Sequence, residues 1–120
     1  MNILHLIGFF QPNLGYEEFY LAKNQLKKGH QVVVVTSDKY YPFEDYNSIY
    51  LGILGDRSSP QPGFSIEKGV PTFRLPSYFE IDTTVLLKNL GFVIKSFQPN
   101  VIHIHGLFHP LTFQCIFWLN

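Results

Sequence analysis

Two stretches of the chain are apolar without alternation. Ile3 to Ile7 is interrupted only by His5, and Gln31-Val-Val-Val-Val-Thr36 is β-branched throughout. Strands of this kind are buried on both faces, as in parallel sheets covered by helices. Between them Phe19, Ala22 and Leu26 recur at spacings of three and four, with Lys23, Lys27 and Lys28 elsewhere, which predicts an amphipathic helix. Glu17 and Glu18 fall in its first turn and Lys27 and Lys28 in its last, complementing the dipole, and Gly29 stops it. Residues 1–36 therefore predict a βαβ unit with a right-handed crossover.

The pattern then changes. Prolines at 42, 60, 62, 71 and 76 and glycines at 52, 55, 63 and 69 punctuate residues 38–80 and exclude one long element. Phe64–Glu67 and Pro71–Leu75 read as short strands around a turn at Lys68-Gly69, with Thr72–Leu75 the third strand of the main sheet. The same excursion is rich in aromatics, among them Tyr40, Tyr41, Phe43, Tyr46, Tyr50, Phe64, Tyr78 and Phe79. Two readings are open: a satellite core under a long loop, or a rim that stacks on a flat or greasy ligand. Asp82 or Thr83 is expected to cap a second helix with Leu86, Leu90, Val93 and Phe97 as its stripe, widened by Leu87 and Ile94 and ended by Pro99-Asn100. A strand, Val101–His105, follows, and Pro110 suits the first turn of a third helix over Leu111–Leu119.

These connections predict the strand order three-two-one-four, from Thr72, Val32, Ile3 and Val101 respectively. The fold class expected is α/β: a Rossmann-like parallel sheet with helices on both faces, and incomplete. The last strand would keep a bare outer edge, which natural sheets avoid. The final helix has almost no polar face and expects to be covered. Residues 1–120 thus read as the front half of a larger α/β domain, with self-pairing through the open edge as the alternative.

Composition narrows the picture. A chain of 120 residues suffices for one domain, and an apolar share of 46% argues against disorder. Nine basic residues balance nine acidic ones, so no surplus exists to neutralise the phosphates of a nucleic acid. The single cysteine, Cys115, excludes an intrachain disulfide and reads as a small buried hydrophobe. The opening MNILHLIG lacks the basic region of a secretory signal, and Leu111–Leu119 is about half of the ~20 residues that span a membrane. A cytoplasmic location is expected.

Ligands of open parallel sheets lie beyond the carboxyl ends of the strands, where the strand order reverses. That point falls between strands one and four, flanked by the loops Gly8–Tyr16 and His105–His109. Gly15 stands just before the first helix, where it either admits the backbone close to an anion or merely supplies a turn torsion. The loop carries neither the dinucleotide fingerprint nor a Walker A motif. His103 and His105 alternate, so they share a face. His105, at the strand end, is the expected site residue, and His103 is expected to be a hydrogen-bonded core residue. His109 is a weaker companion. Zinc on His103, His105 and His109 is not expected, since neither cysteine nor carboxylate accompanies them. Glu17 and Glu18 are accounted for by the helix dipole, although either could accept a hydrogen bond from a sugar hydroxyl. His5 and His30 are assigned dipole and turn roles.

The segments ILHLIGFFQPNLGYEEFYLAKNQLKKGHQVVVVTSD and FQPNVIHIHG resemble the N-terminal domain of family 4 retaining glycosyltransferases, the glycogen-synthase-like branch of the GT-B fold. Pro12-Asn13-Leu14-Gly15, a glutamate early in the helix, Gly29-His30-x-Val32 and Pro99-x-Val-Ile-His-x-His105 carry the resemblance, in family order across Ile3–Gly106. It implies a two-domain enzyme moving a sugar from a nucleotide-sugar to a sugar or lipid-linked acceptor with retention of configuration. No metal or cofactor is implied, the nucleotide-sugar being a substrate. Gly15 would approach the donor phosphates, and His105 would lie beside the transferred sugar as the catalytic-site residue. Tyr16, where the family commonly has a second glycine, would narrow that approach or stack on an acceptor. Glu18 and His109 are acceptor-side candidates. The resemblance also implies a missing C-terminal domain that grips the donor, hence no transfer by this chain alone, and a peripheral seat at the inner face of the membrane where the acceptor is lipid-linked. The alternative is a non-catalytic Rossmann-like binding module completed by a partner chain.

Overall fold

The computed structural model describes residues 1–106 and 110–119. In chain order come β1 (Asn2–Leu6), α1 (Glu17–Lys27), β2 (Gln31–Ser37), the short α2 (Leu51–Leu54), β3 (Gly63–Glu67), β4 (Val70–Leu75), β5 (Ser77–Ile81), β6 (Thr84–Leu87), α3 (Leu90–Phe97), β7 (Val101–Ile104) and α4 (Pro110–Leu119). Five strands form one sheet in the order β3-β4-β2-β1-β7. Within it β4, β2, β1 and β7 are parallel, in the order the connections predict.

The sheet is mixed rather than wholly parallel, because β3 lies antiparallel on β4. Lys68 and Gly69 both take positive φ, 52° and 83°, as a tight two-residue hairpin turn requires, and this folds Gly63–Glu67 back onto its neighbour.

Unbroken apolar strands need cover on both faces, and they have it. Ile3, Ile7, Val32 and Val34 pack with Phe10, Ala22 and Val70, flanked by Phe19 and Leu26 of α1. Leu4, Leu6, Val33 and Val35 point the other way, onto Leu90, Val93 and Ile94 of α3 and Leu111 and Cys115 of α4. The result is an α/β domain of alternating strands and helices, a generic Rossmann-like arrangement. Cys115 is buried as expected, and burial pushes its thiol pKa up.

One expected element is half wrong. The second helix begins at Leu90, not at Asp82 or Thr83, and the segment before it is β6, paired antiparallel with β5. Val85 and Leu87 are buried while Leu86 is only half-buried, so the period there is two rather than 3.6. Asp82, at φ 57°, serves the β5–β6 turn instead of a helix cap, and Asn89, at φ 64°, redirects the chain into α3.

The aromatic excursion proves partly self-satisfied. Phe43 stacks on Tyr50 at 4.1 Å between ring centres, Tyr41 lies 4.8 Å from Phe43, and Tyr41 meets Phe9 edge-on. Those rings are half-buried and cluster beside Phe9 of the main core. Phe64, Tyr78 and Phe79 face outward instead. Among the described residues β7 has no neighbour on its outer side, and no helix is long and apolar enough to cross a membrane.

Candidate functional site at the carboxyl edge of β1 and β7

The loop leaving β1 is pinned from several directions. The Gly8 carbonyl accepts from the Ser37 N–H at 3.3 Å, and Phe10 is fully buried under α1. Gln11 is buried, and its Oε1 accepts from the Tyr41 N–H at 2.7 Å. Arg74, on β4 and buried, donates from Nη2 to the Phe10 carbonyl at 2.8 Å and from Nη1 to the Ser37 carbonyl at 2.9 Å. Its charge is met by Glu67, through Nε at 2.7 Å and Nη2 at 2.8 Å. The guanidinium also lies 5.5 Å from the centre of the Tyr40 ring. One side chain therefore ties the loop after β1 to the end of β2.

Pro12–Leu14 form a 3-10 turn that Gly15 closes at φ 67°. A side chain there would be strained by the torsion, and its Cβ would stand 2.9 Å from the Tyr20 hydroxyl oxygen. The Gly15 N–H donates to the Pro12 carbonyl at 3.2 Å, so it is engaged within the turn rather than bared to a ligand. The turn role is thus established for Gly15. Tyr16 precedes α1 without a side-chain cap, and its own carbonyl takes the Phe19 and Tyr20 N–H groups. An anion at this helix end would meet the first-turn amides, but the Glu17 and Glu18 carboxylates stand in the same turn and oppose it. The half-exposed Tyr16 phenol has its pKa raised by partial burial first, then by Tyr50 and Glu18.

The histidines meet on the sheet face that carries α1. Parallel pairing of β1 with β7 sets His5 opposite His103, and the His105 N–H continues the ladder to the Leu6 carbonyl at 3.0 Å. His5 is fully buried. Its Nε2 lies 2.6 Å from Gln25 Oε1 of α1, and its Nδ1 lies 3.0 Å from His105 Nε2. A carbonyl oxygen only accepts, which assigns the His5 proton to Nε2 and leaves Nδ1 to accept the N–H of His105 Nε2. His105 then carries its lone pair on Nδ1. Burial first, then His103 and His5, holds the His105 pKa down at about 4, and burial likewise lowers that of His5. Both are neutral at pH 7. His103 stacks on His105, centres 4.2 Å apart and planes within 6°.

His103 and His105 share a face, as their alternation requires. His103 is exposed, however, and the core position expected for it belongs to His5, for which a dipole role had been adequate. His30 instead faces the chain amino group at 3.2 Å. His109 lies outside the described residues. Asp38 is half-buried beside Lys39 at 3.5 Å. Reading the sequence missed His5, Gln25 and Arg74. The first was partly within reach: strand order sets His5 and His103 on neighbouring strands, and the register Ile3 with Val101 then brings them opposite each other. The charge of Arg74 within Thr72-Phe-Arg-Leu75 was the signal for the third. The nearest grouping able to hold a metal is His5, His103 and His105, whose ligand atoms lie within 4.8 Å of one another.

No family model, curated protein or solved structure matches this chain.

Proposed function

We propose that this chain is the acceptor-side part of a retaining glycosyltransferase, working with a donor-binding domain that supplies the cations for the leaving diphosphate. The reading rests on the sequence resemblance. The observation that carries it furthest is the parallel pairing of β1 with β7, which sends the Gly8–Tyr16 loop and His105 out of the same sheet edge at the point of strand-order reversal. The hydrogen-bond chain Gln25–His5–His105 supports it further. It holds His105 neutral with Nδ1 as an acceptor, suited to a hydroxyl of the donor sugar rather than to a phosphate. Tyr16 is exposed at the start of α1, which supports its stacking on an acceptor ring. Gly15 shapes the loop and its own N–H is committed, so diphosphate stabilisation falls to the second domain. Such preorganised charge is usually a major catalytic contribution. The chain incubated with nucleotide-sugars and candidate acceptors therefore gives no sustained turnover, and turnover would defeat the two-domain reading.

A second reading, a non-catalytic module completed by a partner, is favoured by the outer side of β7, open among the described residues, and by the exposed Phe113 of α4. Sedimentation separates the two. A stable, specific oligomer supports the module, and a monomer supports the enzyme part.

A further inference from the structure

We propose that His5, His103 and His105 bind a divalent transition-metal ion such as Zn²⁺, with one coordination position left open to water or an anionic oxygen. Three imidazoles from two adjacent strands have ligand nitrogens within 4.8 Å of one another. His5 Nδ1 and His105 Nε2 are 3.0 Å apart, and a proton sits between them. Two nitrogens on a tetrahedral zinc, at Zn–N distances of about 2.0–2.1 Å, stand about 3.3 Å apart. Metal binding thus separates these two atoms by about 0.3 Å and turns the rings so that both lone pairs meet at the ion off the N–N line. It also shifts the His105 proton from Nε2 to Nδ1, so that the ligand stays neutral.

The surroundings fit as well. His5 is fixed by its Nε2–H to Gln25 Oε1 at 2.6 Å, the kind of outer hydrogen bond that orients a metal-bound imidazole. With His5 rigid and buried, the site is half preformed. His103 is the movable ligand. Its ring is parallel to that of His105, and two parallel imidazoles cannot both aim in-plane lone pairs at one ion. His103 must therefore turn about its side-chain torsions, and its exposed place on the edge strand leaves room to do so. Three neutral ligands leave the ion's double charge uncompensated, so the open position favours hydroxide or an anionic oxygen. Imidazole donors without thiolate or carboxylate suit Zn²⁺, Cu²⁺, Ni²⁺ and Co²⁺ over Mg²⁺ or Ca²⁺. A metal on His105 Nε2 and a sugar hydroxyl on His105 Nδ1 call for opposite tautomers, so they are alternative states of one ring, and the proposal is tested with metal alone.

The full chain is stripped with a chelator, dialysed and titrated with Zn²⁺ by calorimetry at neutral pH, and separately with Co²⁺ followed by its visible absorption. The expected result is one ion per chain and an intense cobalt spectrum of low coordination number. His103→Ala, which alters an exposed side chain, and His105→Ala each weaken binding at least tenfold. Gln25→Ala weakens it by about ten- to a hundredfold. His30→Ala, outside the cluster, leaves it unchanged. Circular dichroism on each variant confirms the fold, and His103→Ala keeps the test decisive should His105→Ala or Gln25→Ala unfold. Failure of the wild-type chain to bind, binding unchanged in His103→Ala, or a weak six-coordinate cobalt spectrum each overturns the proposal.

Discussion

At Gly15 the backbone sits at φ 67°, a torsion that costs an L side chain about 1–2 kcal/mol. Gly15→Ala is expected to lower unfolding free energy by that amount in urea titrations. Tyr20→Ala, which removes the nearby hydroxyl, should not restore it, because the strain lies in the torsion. Arg74 makes a larger claim. It is buried, and its removal leaves the Phe10 and Ser37 carbonyls and Glu67 without their donor. Arg74→Met is expected to cost about 3 kcal/mol, the range for breaking a buried ion pair, with the same measurement as the check. Gln25→Ala leaves the buried His5 Nε2–H unpaired and should cost about 1–3 kcal/mol. These residues differ in legibility. For Gly15 the local sequence left two readings open, a turn torsion or a close approach to an anion, and local residues do not decide between them. Arg74 and Gln25 act through partners 64 and 20 positions away in the chain, and no local pattern carries that information.

Among the elements, the strand pair β1 and β7 shows how far periodicity reaches. Unbroken apolar composition identified β1, β2 and the cover on both faces, because burial of a central parallel strand is dictated by its own residues. The β5–β6 hairpin escaped for the opposite reason. Leu86, Leu87, Leu90, Val93 and Phe97 satisfy helical spacing, but the first two are claimed by a tertiary pairing with β5 that a linear stripe does not encode. The pairing of β1 with β7 also sets a pH dependence. The groups facing His105 are His5 on β1 and His103 on β7, with Gln25 of α1 behind His5. An unfolded imidazole titrates near 6.5, whereas His105 is held to about 4. Between these values the unfolded chain binds more protons, so stability falls as pH drops from 7 toward 4 and this contribution levels off below that. Above pH 7 it is constant. In chelator, thermal melts of His105→Gln should show a shallower decline than the wild type between pH 7 and 5.

For the molecule as a whole, the order β4-β2-β1-β7 puts the reversal of strand order between β1 and β7, and with it the histidines and the Gly8–Tyr16 loop. This much followed from strand connections alone, since right-handed crossovers leave few arrangements. The antiparallel β3 at the far edge was visible as a hairpin but not as a member of the main sheet, which depends on contacts with β4 alone. A competing location exists at the opposite, amino-terminal end of the strands. There Leu26, Val33, Phe73, Val93 and Phe97 line an apolar groove of about 510 Å³. Amide and imidazole chemical-shift mapping of the chelator-treated chain, titrated to high concentration with a nucleotide-sugar, tests most directly which end is used. Shifts are expected at Tyr16, Glu18, His5 and His105 and are lost in His105→Ala. Shifts gathered instead at Leu26, Val33 and Phe97 would contradict it.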